Sequence, residues 1–191
     1  MAGGKVFRGL ASGFLQNLCS GSGRCRVYVR PSTFRLPQSL ATPIIMVGPG
    51  TGIAPMRALL QERKFLAAKP GANTGGNGLK VPINKNTLYF GCKHSAVDFL
   101  YKDELSAFQT DGTLTQFHTA FSRQQKDKVY VQHLLSKSPN DSDLMTDLDA
   151  GAFIFVCGAT KMGADVMETI ISLLQKQKGT WDFSTQSLVL C

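Results

Sequence analysis

Four short groups of residues in this sequence stand out for the chemistry their types could do. Gly48, Gly50, Thr51 and Gly52 put three glycines and a hydroxyl into one turn. Cys92-Lys93 sets a thiol beside a cation, and Ser122-Arg123, followed by Lys126 and Lys128, offers a hydroxyl and several cations. Cys157-Gly158 ends an apolar run. Glycine lets the backbone turn tightly and leaves room for a ligand to lie against it. A phosphate needs charge-assisted donors, which Arg, Lys, Ser and Tyr supply. The five cysteines, at 19, 25, 92, 157 and 191, form no CxxC pair and no metal-ligand spacing, so no metal is expected. An odd count without a secretory leader points to reduced thiols.

The first group sits between two recognisable elements. Ile44-Ile45-Met46-Val47, bounded by Pro43 and Gly48, reads as a strand buried on both faces. Over residues 53–66, Ile53, Met56, Leu59, Leu60 and Phe65 recur at helical spacing, with Pro55 near the start, where its missing N–H costs little. The free N–H groups and positive dipole end of such a helix suit a phosphate. The turn reads G-P-G-T-G rather than the dinucleotide pattern G-x-G-x-x-G, so alone it also fits a tight connection without a ligand. Further strands are predicted over 87–92, 114–121 and 152–158. Helices are predicted over 98–109 (Phe99, Leu100, Leu105 and Phe108 inward), from 129 onward, over 141–148 and over 162–174. Residues 69–86, rich in Gly, Asn and Pro, read as a surface loop. Strands alternating with helices make an α/β fold, a doubly wound and mostly parallel sheet, whose ligands lie beyond the carboxyl ends of the strands. All four groups fall there.

With 191 residues the chain holds one good-sized domain, or one domain and a piece of another. Residues 1–42 are too short for their own core. They suggest a helix over 6–18, with Phe14, Leu15 and Leu18 on one face, and a strand-like alternation at Val27, Val29 and Phe34. The expected organisation is the tail of a preceding domain over 1–42, a nucleotide-binding domain over 43–176 and a weakly patterned tail over 177–191. No run approaches the roughly 20 apolar residues of a membrane span, and the N-terminus lacks the apolar core of a signal peptide, so a cytoplasmic chain is expected. The net charge of +8 suits a nucleic acid, an anionic membrane or a phosphorylated ligand. It is spread along the chain, with no basic block and no aromatic-interleaved basic motif, which speaks against nucleic acid.

Taken together and in order, GPGTGIAP, LYFGC, FSRQQKDKVYVQ and FVCG resemble the Rossmann-like NADP-binding module of the ferredoxin–NADP reductase superfamily. The run DGTLTQFHTAFSRQQKDKVYVQHLL is most similar to the P-450 reductase type of diflavin reductase. The methionine synthase reductase, sulfite reductase flavoprotein and nitric oxide synthase types are its relatives. The resemblance implies that Gly48, Gly50, Thr51 and Gly52 cradle the NADPH pyrophosphate. It implies that Ser122 and Arg123 meet the 2′-phosphate and that Lys128, Val129, Tyr130, Val131 and Gln132 complete that pocket. Cys92 and Lys93 resemble a family Cys-Arg pair, Asp165 a nucleotide-contacting aspartate, and Cys157 the cysteine that aims the nicotinamide for hydride transfer. Gly9, Leu10, Ala11 and Ser12 resemble a segment that holds the FAD pyrophosphate, an incomplete site here because the family's R-x-Y-S flavin motif is missing from the sequence.

Two departures stand out. Ala159 occupies a place where the family has an acid, and the sequence ends Ser-Leu-Val-Leu-Cys where the family has an Asp and an aromatic. The implied activity is hydride transfer from NADPH to FAD, then electron transfer through FMN to a haem-protein acceptor such as a cytochrome P-450. The implied partners are NADP(H), the flavin domains of the same enzyme and that acceptor, with whole family members often anchored on the cytoplasmic face of the endoplasmic reticulum. On this reading the chain alone binds NADP(H) and turns over little. The alternative is a stand-alone or degenerate NADP-binding module without redox activity of its own.

Overall fold

A computed structural model describes residues 9–18, 23–69, 85–137, 139–178 and 187–190. The central strand β1 (Ile44–Val47) is four apolar residues long and fully buried. A 3-10 turn over Gly50–Gly52 leads into α2 (Ile53–Ala67). Then follow β2 (Asn86–Cys92), α3 (Lys102–Thr110), β3 (Gln116–Phe121), α4 (Val131–Leu135), α5 (Asn140–Asp149), β4 (Phe153–Val156), α6 (Thr160–Lys178) and β5 (Ser187–Leu190). A short helix, α1 (Leu10–Asn17), precedes them all.

The strands form one parallel sheet in the order β3-β2-β1-β4-β5. The chain winds outward from β1 through β2 to β3, then returns to lay β4 along the other edge of β1. The winding reverses between β1 and β4, and their carboxyl ends open a crevice there. Side chains alternate along each strand. Ile44 and Met46 of β1 therefore join the core under α2 and α3, with Leu60, Phe90, Leu105 and Phe155. Ile45 and Val47 join the opposite core under α4, α5 and α6, with Tyr89, Leu135, Leu148 and Val166. Both faces of the sheet are covered, as the unbroken apolar run of β1 requires. The doubly wound α/β architecture expected from the sequence is the one observed.

Several expected elements differ. In α2 the inner stripe runs through Ile53, Met56, Leu59, Leu60 and Arg63, while Phe65 is 59% exposed. At roughly 3.6 residues per turn, residue 63 follows 53, 56 and 60 on one face and residue 65 lies on the other. The helix expected from 98 starts only at Lys102, because residues 95–101 form a turn that ends on Tyr101 in the left-handed region (φ 56°). The strand-like alternation at Val27 and Val29 makes no strand; these residues are 82% and 96% exposed. An alternating pattern becomes a strand only where an edge is there to pair with. Of the loop expected over 69–86, residues 70–84 lie outside the described residues, and Asn86 already belongs to β2, paired with Ile44. In the weakly patterned tail, Ser187–Leu190 pairs with β4 as a fifth strand.

The chain divides into two compact units, Met1–Ser32 and Thr33–Cys191. Residues 33–42 go with the sheet. The Arg63 guanidinium donates to the carbonyls of Leu40 (2.7 Å) and Thr42 (3.1 Å), and Phe34 meets Phe155 edge-on at 5.1 Å. Burial brings the Arg63 pKa down to about 10, so the guanidinium stays charged at neutral pH. Among the described residues no helix is long and apolar enough to cross a membrane.

Candidate functional site

A cavity of about 440 Å³ opens beyond the carboxyl ends of β1, β2 and β3. Its floor is the glycine turn, and each glycine has a different task. Gly48 is buried under the turn, where a Cβ would strike the Gly52 carbonyl and Met56. Gly50 adopts φ 58°, a conformation L side chains resist, and faces the cavity with Pro49 and Thr51. Gly52 is pressed against the next strand: a Cβ there would lie 2.9 Å from the Cys157 carbonyl carbon and closer still to its oxygen. The Cys157 N–H donates to Val47 O at 3.0 Å, which ties the end of β4 to β1 beside this turn. A glycine in β2, Gly91, lets Val131 and Pro49 approach to within 3.1 and 3.3 Å of where a Cβ would stand.

The second wall comes from the end of β2. Cys92 is half-buried and its thiol reaches His94 O at 3.6 Å. Burial, and then the nearby Asp98 carboxylate, push the thiol pKa up. Cys92 is therefore a wall residue whose thiol is held protonated at neutral pH. The turn that follows brings Lys93, Val97, Asp98 and Leu100 to the cavity. It is pinned by the His94 N–H donating to Asp98 Oδ2 (3.1 Å) and by Phe99 stacked on Phe90 (centroids 5.0 Å). Its far end rests on Arg57, which sits over the Tyr101 ring at 4.7 Å and pairs with Glu104. That hydrogen bond holds the Glu104 carboxyl below its usual range and raises Arg57.

The third wall comes from β3 and α4. Ser122 lines the cavity, its N–H donating to Cys92 O (2.9 Å), while Arg123 donates its N–H to Lys93 O (3.1 Å). Val129, Tyr130 and Val131 complete this wall, and Met162 at the start of α6 closes the space. The Tyr130 N–H is capped by His133 Nδ1 at 3.3 Å, which sets the start of α4.

The structure thus brings Gly50, Thr51, Cys92, Lys93, Ser122, Val129, Tyr130 and Val131 to one cavity. Gly48 and Gly52 lie beneath it as packing glycines. Arg123 and Lys128 are exposed on the loop at its edge, outside the lining. Gln132, on α4, and Asp165, on α6, stand together, with Gln132 Nε2 donating to Asp165 Oδ2 at 3.5 Å and Gln132 Oε1 buried with no partner among the described residues. Cys157 is half-buried at the end of β4, against Gly52 and outside the lining. Gly9, Leu10, Ala11 and Ser12 belong to the other unit; Gly9 precedes α1 with an extended backbone and no side-chain cap. Sequence reasoning missed Val97, Asp98 and Leu100, which it assigned to a helix or left unassigned. The signal available was Ser95 and Asp98, both turn-forming types, ahead of the first acidic helix turn at Asp103 and Glu104.

Chemically, the site offers an apolar body, three hydroxyls (Thr51, Ser122 and Tyr130), a backbone turn at the start of α2, Lys93 in the lining and further cations at the edge. A ligand with flat rings and phosphate groups matches that inventory. Residues 46–168 match the oxidoreductase NAD-binding domain family. Similar proteins include the NADPH–cytochrome P450 reductases of Bos taurus (42% identity over 182 residues, 91% of this chain and 25% of that protein) and Homo sapiens (41% over 177 residues, 90% and 24%). That of Musca domestica is 39% identical over 176 residues, again 90% of this chain and 24% of the relative. The chain spans about a quarter of the length of these curated relatives.

Proposed function

The chain belongs to the oxidoreductase NAD-binding domain family, and from that premise we propose that it is the NADPH-binding domain of a diflavin reductase of the cytochrome P450 reductase type. The observation that carries this reading is the cavity itself. The glycine turn, the end of β2 and the Ser122–Tyr130 wall converge at the carboxyl ends of the strands, where a doubly wound sheet receives a dinucleotide. In the proposed mode the pyrophosphate lies on Gly50 and Thr51 at the start of α2, near Lys93. The 2′-phosphate takes donors from Ser122, Arg123, Lys128 and Tyr130, and Gln132 with Asp165 supports the adenosine side. The nicotinamide points along the crevice toward Cys157. Arg123, Lys126 and Lys128 outnumber the one carboxylate of that loop, Asp127, which favours an extra phosphate over a bare ribose.

The work of this chain is binding and aim. FAD, when bound in the whole enzyme, supplies the ring that accepts hydride. The residues here that fit its pyrophosphate are Gly9 to Ser12, because the first turn of α1 has no side-chain cap and leaves its N–H groups for an anion. Electron flow onward through FMN to a haem-protein acceptor belongs to the same proposal for the whole protein.

The test is calorimetric titration of the chain with 2′,5′-ADP and with ADP at one salt concentration. The 2′-phosphate should improve binding roughly thirtyfold, about 2 kcal/mol. Arg123→Ala should erase most of that gain, since a charge-assisted hydrogen bond contributes roughly 1.5–3 kcal/mol. Equal affinities for the two ligands would overturn the reading.

A further inference from the structure

We propose that Gln124, on the exposed loop after β3, is a positioning residue that joins two walls of the cavity and sets the 2′-phosphate preference. The inference rests on the nucleotide reading above. The ladder between β2 and β3 ends at the pair Cys92–Phe121. Two more backbone bonds follow it outward, Ser122 N–H to Cys92 O (2.9 Å) and Arg123 N–H to Lys93 O (3.1 Å). There the two segments part, one into the turn that carries Lys93, Val97, Asp98 and Leu100, the other into the loop that carries Arg123 and Lys128. The next rung is made by a side chain: the Ser95 N–H donates to Gln124 Oε1 at 2.9 Å.

The turn side of this joint is already rigid, because His94 N–H is taken by Asp98 and the Val97 and Asp98 N–H groups by His94 O. The loop side has less to hold it. Residues 123–128 are all exposed, and beyond Arg123 their other described tie is Gln125, whose amide donates to Phe121 O. Gln124 therefore fixes the loop to the rigid wall before any ligand arrives. Without it the loop samples other orientations, and apparent affinity falls with the fraction that remains competent. The loss falls on a ligand that needs Arg123 and Lys128 held in place, and spares one that needs only the glycine turn.

The experiment compares wild type, Gln124→Ala, Gln124→Asn and Ser95→Ala by calorimetry with 2′,5′-ADP and ADP, alongside amide hydrogen exchange at Ser95. Gln124→Ala should weaken 2′,5′-ADP binding about fivefold, the scale of one net hydrogen bond, and change ADP binding less than about twofold. Gln124→Asn keeps the amide but shortens its reach, and should behave alike. Ser95→Ala should match wild type, because the donor is the backbone N–H. The Ser95 amide should exchange faster in both Gln124 variants. If wild type prefers 2′,5′-ADP and Gln124→Ala keeps the full preference, this inference is overturned and the nucleotide reading stands. A wild type without preference would overturn the nucleotide reading, and this inference with it.

Discussion

Replacing Gly52 by Ala should open the crevice between β1 and β4. The backbone itself would accept alanine, since φ is −62° and ψ −11°. The obstacle is a neighbour: the new methyl would stand 2.9 Å from the Cys157 carbonyl carbon and nearer still to its oxygen, both main-chain atoms. Ordinary carbon contacts begin at roughly 3.5 Å, so the turn or the end of β4 must shift by more than half an ångström. That end is tied to β1 through Cys157 N–H and Val47 O. Overpacking of this kind costs roughly 1–3 kcal/mol, and the rigidity of both partners argues for the upper end. In a domain of this size about 3 kcal/mol lowers Tm by roughly 6–12 °C. Gly50→Ala is the matched control, with open space where its Cβ would stand and φ at 58°; its cost is left-handed strain alone, about 1–2 kcal/mol. Urea and thermal unfolding followed by circular dichroism would measure both. Gly52→Ala with wild-type stability, or losing no more than Gly50→Ala, would refute the claim that this glycine exists for close approach.

Three further outcomes are expected. Arg63→Met fits the volume but leaves the Leu40 and Thr42 carbonyls without their donor; a loss of about 2–4 kcal/mol, with faster proteolysis ahead of Ile44, is expected, and unchanged urea unfolding would contradict it. Burial holds the His118 pKa below its ordinary 6.5, with Asp143 pulling the other way. As pH falls below 6.5 the unfolded chain takes its proton first, so the contribution of His118 to stability is fully present above 6.5 and is lost progressively as pH falls from there through the lower folded-state pKa. The ring stacks on Tyr89 at 4.6 Å, so His118→Phe keeps the contact and should flatten Tm against pH below neutrality; parallel profiles would count against the assignment. Cys92, its thiol pKa raised by burial, should be alkylated by iodoacetamide at neutral pH more slowly than the exposed Cys25, and equal rates would show that the wall is not formed.

What the sequence made legible follows from where its signals originate. A strand buried on both faces must be apolar throughout, so Ile44–Val47 and the middle of β2 and β4 announce themselves, and the glycines at 48 and 52 mark a turn under compression. Phe65 misleads because residue type carries no angle, whereas the helix turns by angle and places Arg63 inward, where carbonyls of a distant segment accept from both of its terminal nitrogens. Ser187–Leu190 is four residues long, and what makes it a strand is the free edge of β4 rather than any pattern of its own; Val27 and Val29 have the pattern and no strand. The candidate site divides along the same line. Gly50, Thr51, Ser122 and Tyr130 belong to local motifs and were legible, while Val97 and Leu100 reach the cavity only because Tyr101 takes a left-handed turn and Phe99 anchors in a cluster drawn from two strands. The Ser95–Gln124 bond lies at the limit of this rule: its partners are 29 residues apart and neither type predicts the other. Such a bond follows from the register of β2 on β3, and that register is settled by the whole core rather than by either segment.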